Sequence, residues 1–107
     1  MAQLEKTIKG NYSEILHRIE TGIPNGSVSA NLEGCSDFRI GDIRCSVRVF
    51  ERYSVIGGNR VSLNVTLFGS GDTIHISAIA SGGSQAVFFK INTFGEEAFL
   101  DKLKEIL

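Results

Sequence analysis

Arginines recur every fourth residue in "RCSVRVFERYS", at Arg44, Arg48 and Arg52, within a stretch whose apolar residues alternate. A guanidinium is a planar fork that matches a carboxylate or a phosphate with two hydrogen bonds. On a strand, these three side chains leave the sheet on one face, opposite Ile43, Cys45, Val47 and Val49. The same alternation places Asn64, Thr66 and His75 on the polar side of later strands. The candidate ligand site is therefore Arg48, Arg52, Asn64, Thr66 and His75, with the arginines as anion-binding forks. The competing reading pairs the arginines with Glu33 and Asp37 across strands, where they keep a sheet face soluble.

Register tests other chemistry. Pairing apolar with apolar aligns Cys35, Arg48, Thr66 and His75 in one row, which looks like a thiol with a base. Three strand spacings separate its ends, about 14 Å, whereas a nucleophile and its base need hydrogen-bond contact. No catalytic residue is assigned, and the chain leans away from being an enzyme. The two histidines, His17 and His75, are far apart and lack a carboxylate cluster, so neither a metal site nor a cofactor is expected.

"SGGSQAVFFK", Ser81 to Lys90, looks like a phosphate cradle. A Walker-type loop needs G-x-x-x-x-G-K-[ST] between a strand and a helix. Gly82-Gly83 lacks that spacing, and "AVFFKI" extends a strand. Phe88 and Phe89 point to opposite faces of that strand, so one of them leaves the core and is a candidate interaction residue.

The elements that would carry these residues follow from punctuation and period. "LEKTIK" alternates as a strand. Asn11 with Glu14 makes a capping box for a helix presenting Tyr12, Ile15, Leu16 and Ile19, with Gly22 and Pro24 as its stop. From Ser27 the period is two, and turns at Gly41-Asp42, "IGGN" and "GSGD" join four strands in a meander. Paired residues are expected to sum to 83, 114 and about 141 in its three hairpins. "AVFFKI" adds a strand, and Thr93 with Glu96 opens a second helix presenting Phe99, Leu103 and Ile106. The expectation is one α+β domain over 1–107, β-α-β-β-β-β-β-α. Its antiparallel meander sheet would have one face covered by an N-terminal and a C-terminal helix, burying Val47, Val49, Val65 and Ile76, with Arg48, Asn64 and Ser77 facing away.

Bulk properties exclude several functions. A net charge of −1 gives no electrostatic footprint for nucleic acid or an anionic membrane, and no apolar run spans a bilayer. The N-terminus lacks the apolar core of a secretory signal, so Cys35 and Cys45 are expected as cytoplasmic thiols.

The stretches "VRVFERYSVIGGNRVSLNVTL" and "SGGSQAVFFKINTFGEEAFLDKL" resemble members of a small family of bacterial single-domain proteins of unknown function. That resemblance spans nearly the whole chain; it implies a stand-alone bacterial cytoplasmic protein and transfers no activity. The order strand–helix–meander–helix also resembles helix-grip proteins, which hold ligands between a curved sheet and a terminal helix. The expected function is a non-enzymatic binding or protein-interaction domain, with a homodimer as one form. The alternative is a miniature helix-grip module for a small apolar or anionic molecule.

Overall fold

Strict alternation over Val61–Leu67 and Ile74–Ala80 dictates two strands that bury every second side chain, and Val61, Leu63, Val65, Leu67, Ile74, Ile76, Ala78 and Ala80 all reach full or nearly full burial. The computed structural model describes residues 2–25, 30–54, 59–82, 103–104 and 106–107. In chain order they form β1 (Ala2–Lys9), α1 (Tyr12–Asn25), β2 (Asn31–Ile40), β3 (Ile43–Ser54), β4 (Asn59–Ser70) and β5 (Thr73–Gly82). The sheet is antiparallel throughout, in the order β1-β5-β4-β3-β2. Among the described residues β1 and β2 are thus its two edges, and α1 lies across one face.

Local chemistry sets the boundaries. Asn11 caps α1, its Oδ1 accepting the Glu14 N–H at 2.9 Å. Gly41 and Gly71 have φ of 61°, the left-handed conformation that two-residue hairpin turns demand. Ile15, Leu16, Ile19 and Ile23 form the apolar stripe of α1 and meet Phe50, the strand residues above and Leu103 in one core.

Three expectations are corrected. The described residues are mostly strand, with one helix element, so the two-helix, helix-grip-like α+β architecture does not hold, although the antiparallel sheet does. The strand "AVFFKI" and the second helix from Thr93 through Phe99 lie outside the described residues; Leu103, Lys104 and Ile106 have helical backbone. Next, α1 runs past Gly22 and Pro24 to Asn25. Gly22 serves close packing instead of a stop, because a Cβ there would lie 2.7 Å from Ile106.

The third correction inverts a face. The β2–β3 register follows the expected sum from Ile40↔Ile43 to Gly34↔Val49, then slips at a bulge that leaves Glu33 unpaired. β3 and β4 pair as Arg48↔Val65 and Phe50↔Leu63, one residue from the expected register. A one-residue slip exchanges faces. Arg48 therefore lies under α1, 5% exposed, while Val47 and Val49 are half-buried on the opposite face. β4–β5 pairing, Leu63↔Ala80, differs by two residues and keeps its faces.

Leu103 is fully buried beside α1 and the sheet. Leu103→Ala is predicted to lose about 2–4 kcal/mol of stability in denaturant melts, the range for truncating a buried leucine. A loss below about 0.5 kcal/mol would show that the C-terminal residues are peripheral.

Candidate functional site

Arg48 is the most connected side chain beneath α1. Its Nε donates to Glu20 Oε2 of the helix at 2.7 Å, and its Nη2 donates to both Asp37 oxygens at 3.0 and 3.1 Å. Its Nη1 reaches the Val47 carbonyl at 2.9 Å and the Ser36 carbonyl at 3.4 Å. Burial opposes its charge; the hydrogen bonds to Glu20 and Asp37 overcome that and hold the guanidinium above its ordinary range. Beside it, the Tyr12 hydroxyl lies 2.8 Å from Ser46 Oγ and 3.1 Å from the Leu67 carbonyl, and burial pushes its phenol up. Tyr12 fits there because Gly69 lacks a Cβ, which would sit 2.6 Å from the ring.

The predicted ligand residues do not form one group. Arg48 and Arg52 lie on the helix face of β3, as their pairing with Val65 and Val61 requires. Asn64, Thr66 and His75 lie on the open face, so no row unites the five. The cause is again the β3–β4 register. Nor does Cys35 share a row with His75: its row runs through Arg48, Val65 and Ala78. Both thiols are free, Cys35 exposed and Cys45 buried, on opposite faces. Phe88 and Phe89 lie outside the described residues.

Sequence spacing missed one constellation. Thr7 Oγ1 is 2.9 Å from His75 Nδ1, and His75 Nε2 is 3.4 Å from Glu5 Oε2, which places a hydroxyl, an imidazole and a carboxylate in series. The residues meet only because β1 pairs with β5, a contact between chain segments nearly seventy positions apart that no local period announces. The His75 and Glu5 side chains are 44% and 51% exposed, so water competes at every bond. Nucleophile activation depends on a preorganised, water-excluded setting that this open strand surface does not give.

The open face is instead divided in character. Over β1 and β5 it shows Glu5, Thr7, Lys9, Thr73, His75 and Ser77, with Ile79 as an isolated apolar side chain. Over β2, β3 and β4 it shows a row Phe38–Cys45–Phe68, flanked by Ile40–Ile43 on one side and Val47 on the other. Phe38 is 55% exposed, Phe68 51% and Ile40 73%, yet Cys45 between the two rings is buried. A contiguous apolar patch of this kind on a sheet marks a docking surface more often than a scattered apolar residue does.

The model of a family of unknown function matches residues 1–107, the whole chain. The chain belongs to that family, DUF6054. No curated protein and no solved structure matches it. What distinguishes this DUF6054 chain functionally lies in its own surface.

Its cavities do not compete with that surface. One of about 400 Å³ opens at the start of α1, between Gly10, Ser13, Asp42, Arg44 and Asp72. Arg44 stacks on the Tyr12 ring at 4.1 Å and donates to Ser13 Oγ at 3.2 Å, while Asp42 and Asp72 present carboxylates to the same space. Among the described residues, no three His, Cys, Asp or Glu side chains cluster to hold a metal ion, and no helix is long and apolar enough to cross a membrane.

Asp37 gives the Arg48 cluster a pH signature. A hydrogen bond from Ser46, and then those from Arg48, hold its carboxyl below the ordinary value of 3.8. A carboxyl depressed on folding stabilises the fold fully above its unfolded pKa and loses that contribution as pH falls through the folded value. Wild type is predicted to lose stability below about pH 4 more steeply than Asp37→Asn in denaturant melts, and parallel profiles would contradict the pairing. At neutral pH, Arg48→Met should cost about 1–3 kcal/mol, because it strips Glu20 and two carbonyls of their donor.

Proposed function

We propose that the chain is a non-enzymatic protein-interaction domain of the bacterial cytoplasm. It docks a partner protein through the apolar half of its open sheet face and the β2 edge that borders it. The observation that carries this reading is the exposed pair Phe38 and Phe68, aligned across β2–β3–β4 with Cys45 buried between them. A face meant only for water would be mostly polar, as it is over β1 and β5, where Ile79 is an isolated apolar side chain among polar ones. Burying the exposed half of each phenyl against a partner contributes about 1–1.5 kcal/mol, so the two rings together supply an apolar anchor for an interface. The cytoplasmic setting is supported by two thiols held on opposite faces, out of reach of each other.

Native mass spectrometry of the full chain purified from its own host tests the reading. Wild type should carry a polypeptide partner, either a second copy or another protein, in fixed ratio. Phe38→Asp/Phe68→Asp should lose it while keeping a cooperative thermal unfolding transition, since the rings cover Cys45 on the open face and lie outside the core under α1. A wild type that is alone, or a variant that keeps its partner, would overturn the proposal.

A further inference from the structure

Resting on the interaction reading, we infer that the partner is a second copy of this chain, joined β2 to β2 antiparallel about a two-fold axis at Ser36. β2 is a sheet edge among the described residues, and every one of its residues except Gly34 is exposed. An edge strand offers a row of unpaired N–H and C=O groups to another strand. The opposite edge resists such pairing, because β1 carries Lys6 on its helix side and Glu5 and Lys9 on its open side. β2 has neither lysine nor proline.

Charge selects the register. In a two-fold pair that continues the sheet, each residue faces one equally far beyond the axis. An axis at Cys35 sets Glu33 against the partner's Asp37, which is repulsive. An axis at Phe38 sets Asp37 against the partner's Arg39, but it pairs only Ser36 to Ile40 and draws on a carboxylate already held by Arg48. An axis at Ser36 sets Glu33 against the partner's Arg39, and by symmetry Arg39 against the partner's Glu33. Among the described residues, neither Glu33 nor Arg39 has a hydrogen-bond or ion-pair partner of its own. Arg39 also lies directly across from Arg44, a like-charged pair that repels. A partner carboxylate on its other side relieves that repulsion.

Shape agrees with charge at the same axis. Phe38 on the open face comes to lie across from the partner's Gly34. A bare glycine on a strand leaves room for a cross-strand aromatic ring, which then covers the exposed backbone. A Cβ built at Gly34 would touch only Val49, at 3.8 Å, so the ring would settle over an apolar floor. The half-exposed phenyl of Phe38 is thereby covered without moving any residue of the core.

Sedimentation of the full chain, as wild type, Glu33→Arg, Arg39→Glu and the double reversal, tests the axis. The wild type should be a dimer. Each single reversal sets two like-charged pairs across the seam and should weaken dimerisation about tenfold, while the double reversal restores it. If a single variant fails to fold, Ser36→Cys in a Cys35→Ser background gives a second measurement. Mild oxidation should link it into a covalent dimer through the axis. A wild type that stays monomeric to millimolar concentration would overturn the inference, and the interaction reading would stand if Phe38→Asp/Phe68→Asp still lost a different protein. A dimer indifferent to the reversals, or one that Ser36→Cys does not link, would also overturn it.

Discussion

The buried guanidinium of Arg48 decides which way the third strand faces. An arginine under a helix is costly unless every donor is used, and here Glu20, Asp37 and the carbonyls of Ser36 and Val47 use them. The partners come from α1, β2 and β3 itself, so one side chain ties the crossing helix to the far half of the sheet. Glu20 and Asp37 keep contact with water, at 30% and 56% side-chain exposure, which limits the desolvation the cluster suffers. Once Arg48 points inward, period two requires that Cys45, Val47 and Val49 point outward.

That outward turn produces the apolar patch. β3 has apolar residues at alternate positions regardless of its orientation, so a strand with its arginines facing solvent would have hidden them. With the arginines inside, Cys45 and its neighbours need cover on the open face, and Phe38 and Phe68 supply it from the flanking strands. The rings bury the thiol but remain half-exposed themselves. Packing demand thus passes from the helix face to the open face.

Much of the scaffold was legible in the residues. The Asn11–Glu14 cap, the Gly41-Asp42 turn and the alternation of β4 and β5 all have short-range causes, and each leads to the observed element. The orientation of β3 was not legible, because its two faces compete closely: Ile43, Cys45, Val47 and Val49 on one, Phe50 with Ser46 and three arginines on the other. The choice turns on Glu20, a helix residue twenty-eight positions away that carries no mark of its role. The bulge at Glu33 and the meeting of Thr7 with His75 are equally non-local. The five expected ligand residues scattered over two faces for the same reason, since a one-residue register difference separates Arg48 and Arg52 from Asn64, Thr66 and His75.

The orientation of β3 rests on the Glu20–Arg48 contact, and a double-mutant cycle measures it directly. Denaturant melts of wild type, Glu20→Gln, Arg48→Met and the double variant yield the coupling between the two side chains, free of what each does alone. With Arg48 beneath α1, the coupling should be about 1 kcal/mol or more, within the range found for residues in one ion-pair network. A coupling indistinguishable from zero would place Arg48 in solvent, return Val47 and Val49 to the core and remove the apolar face.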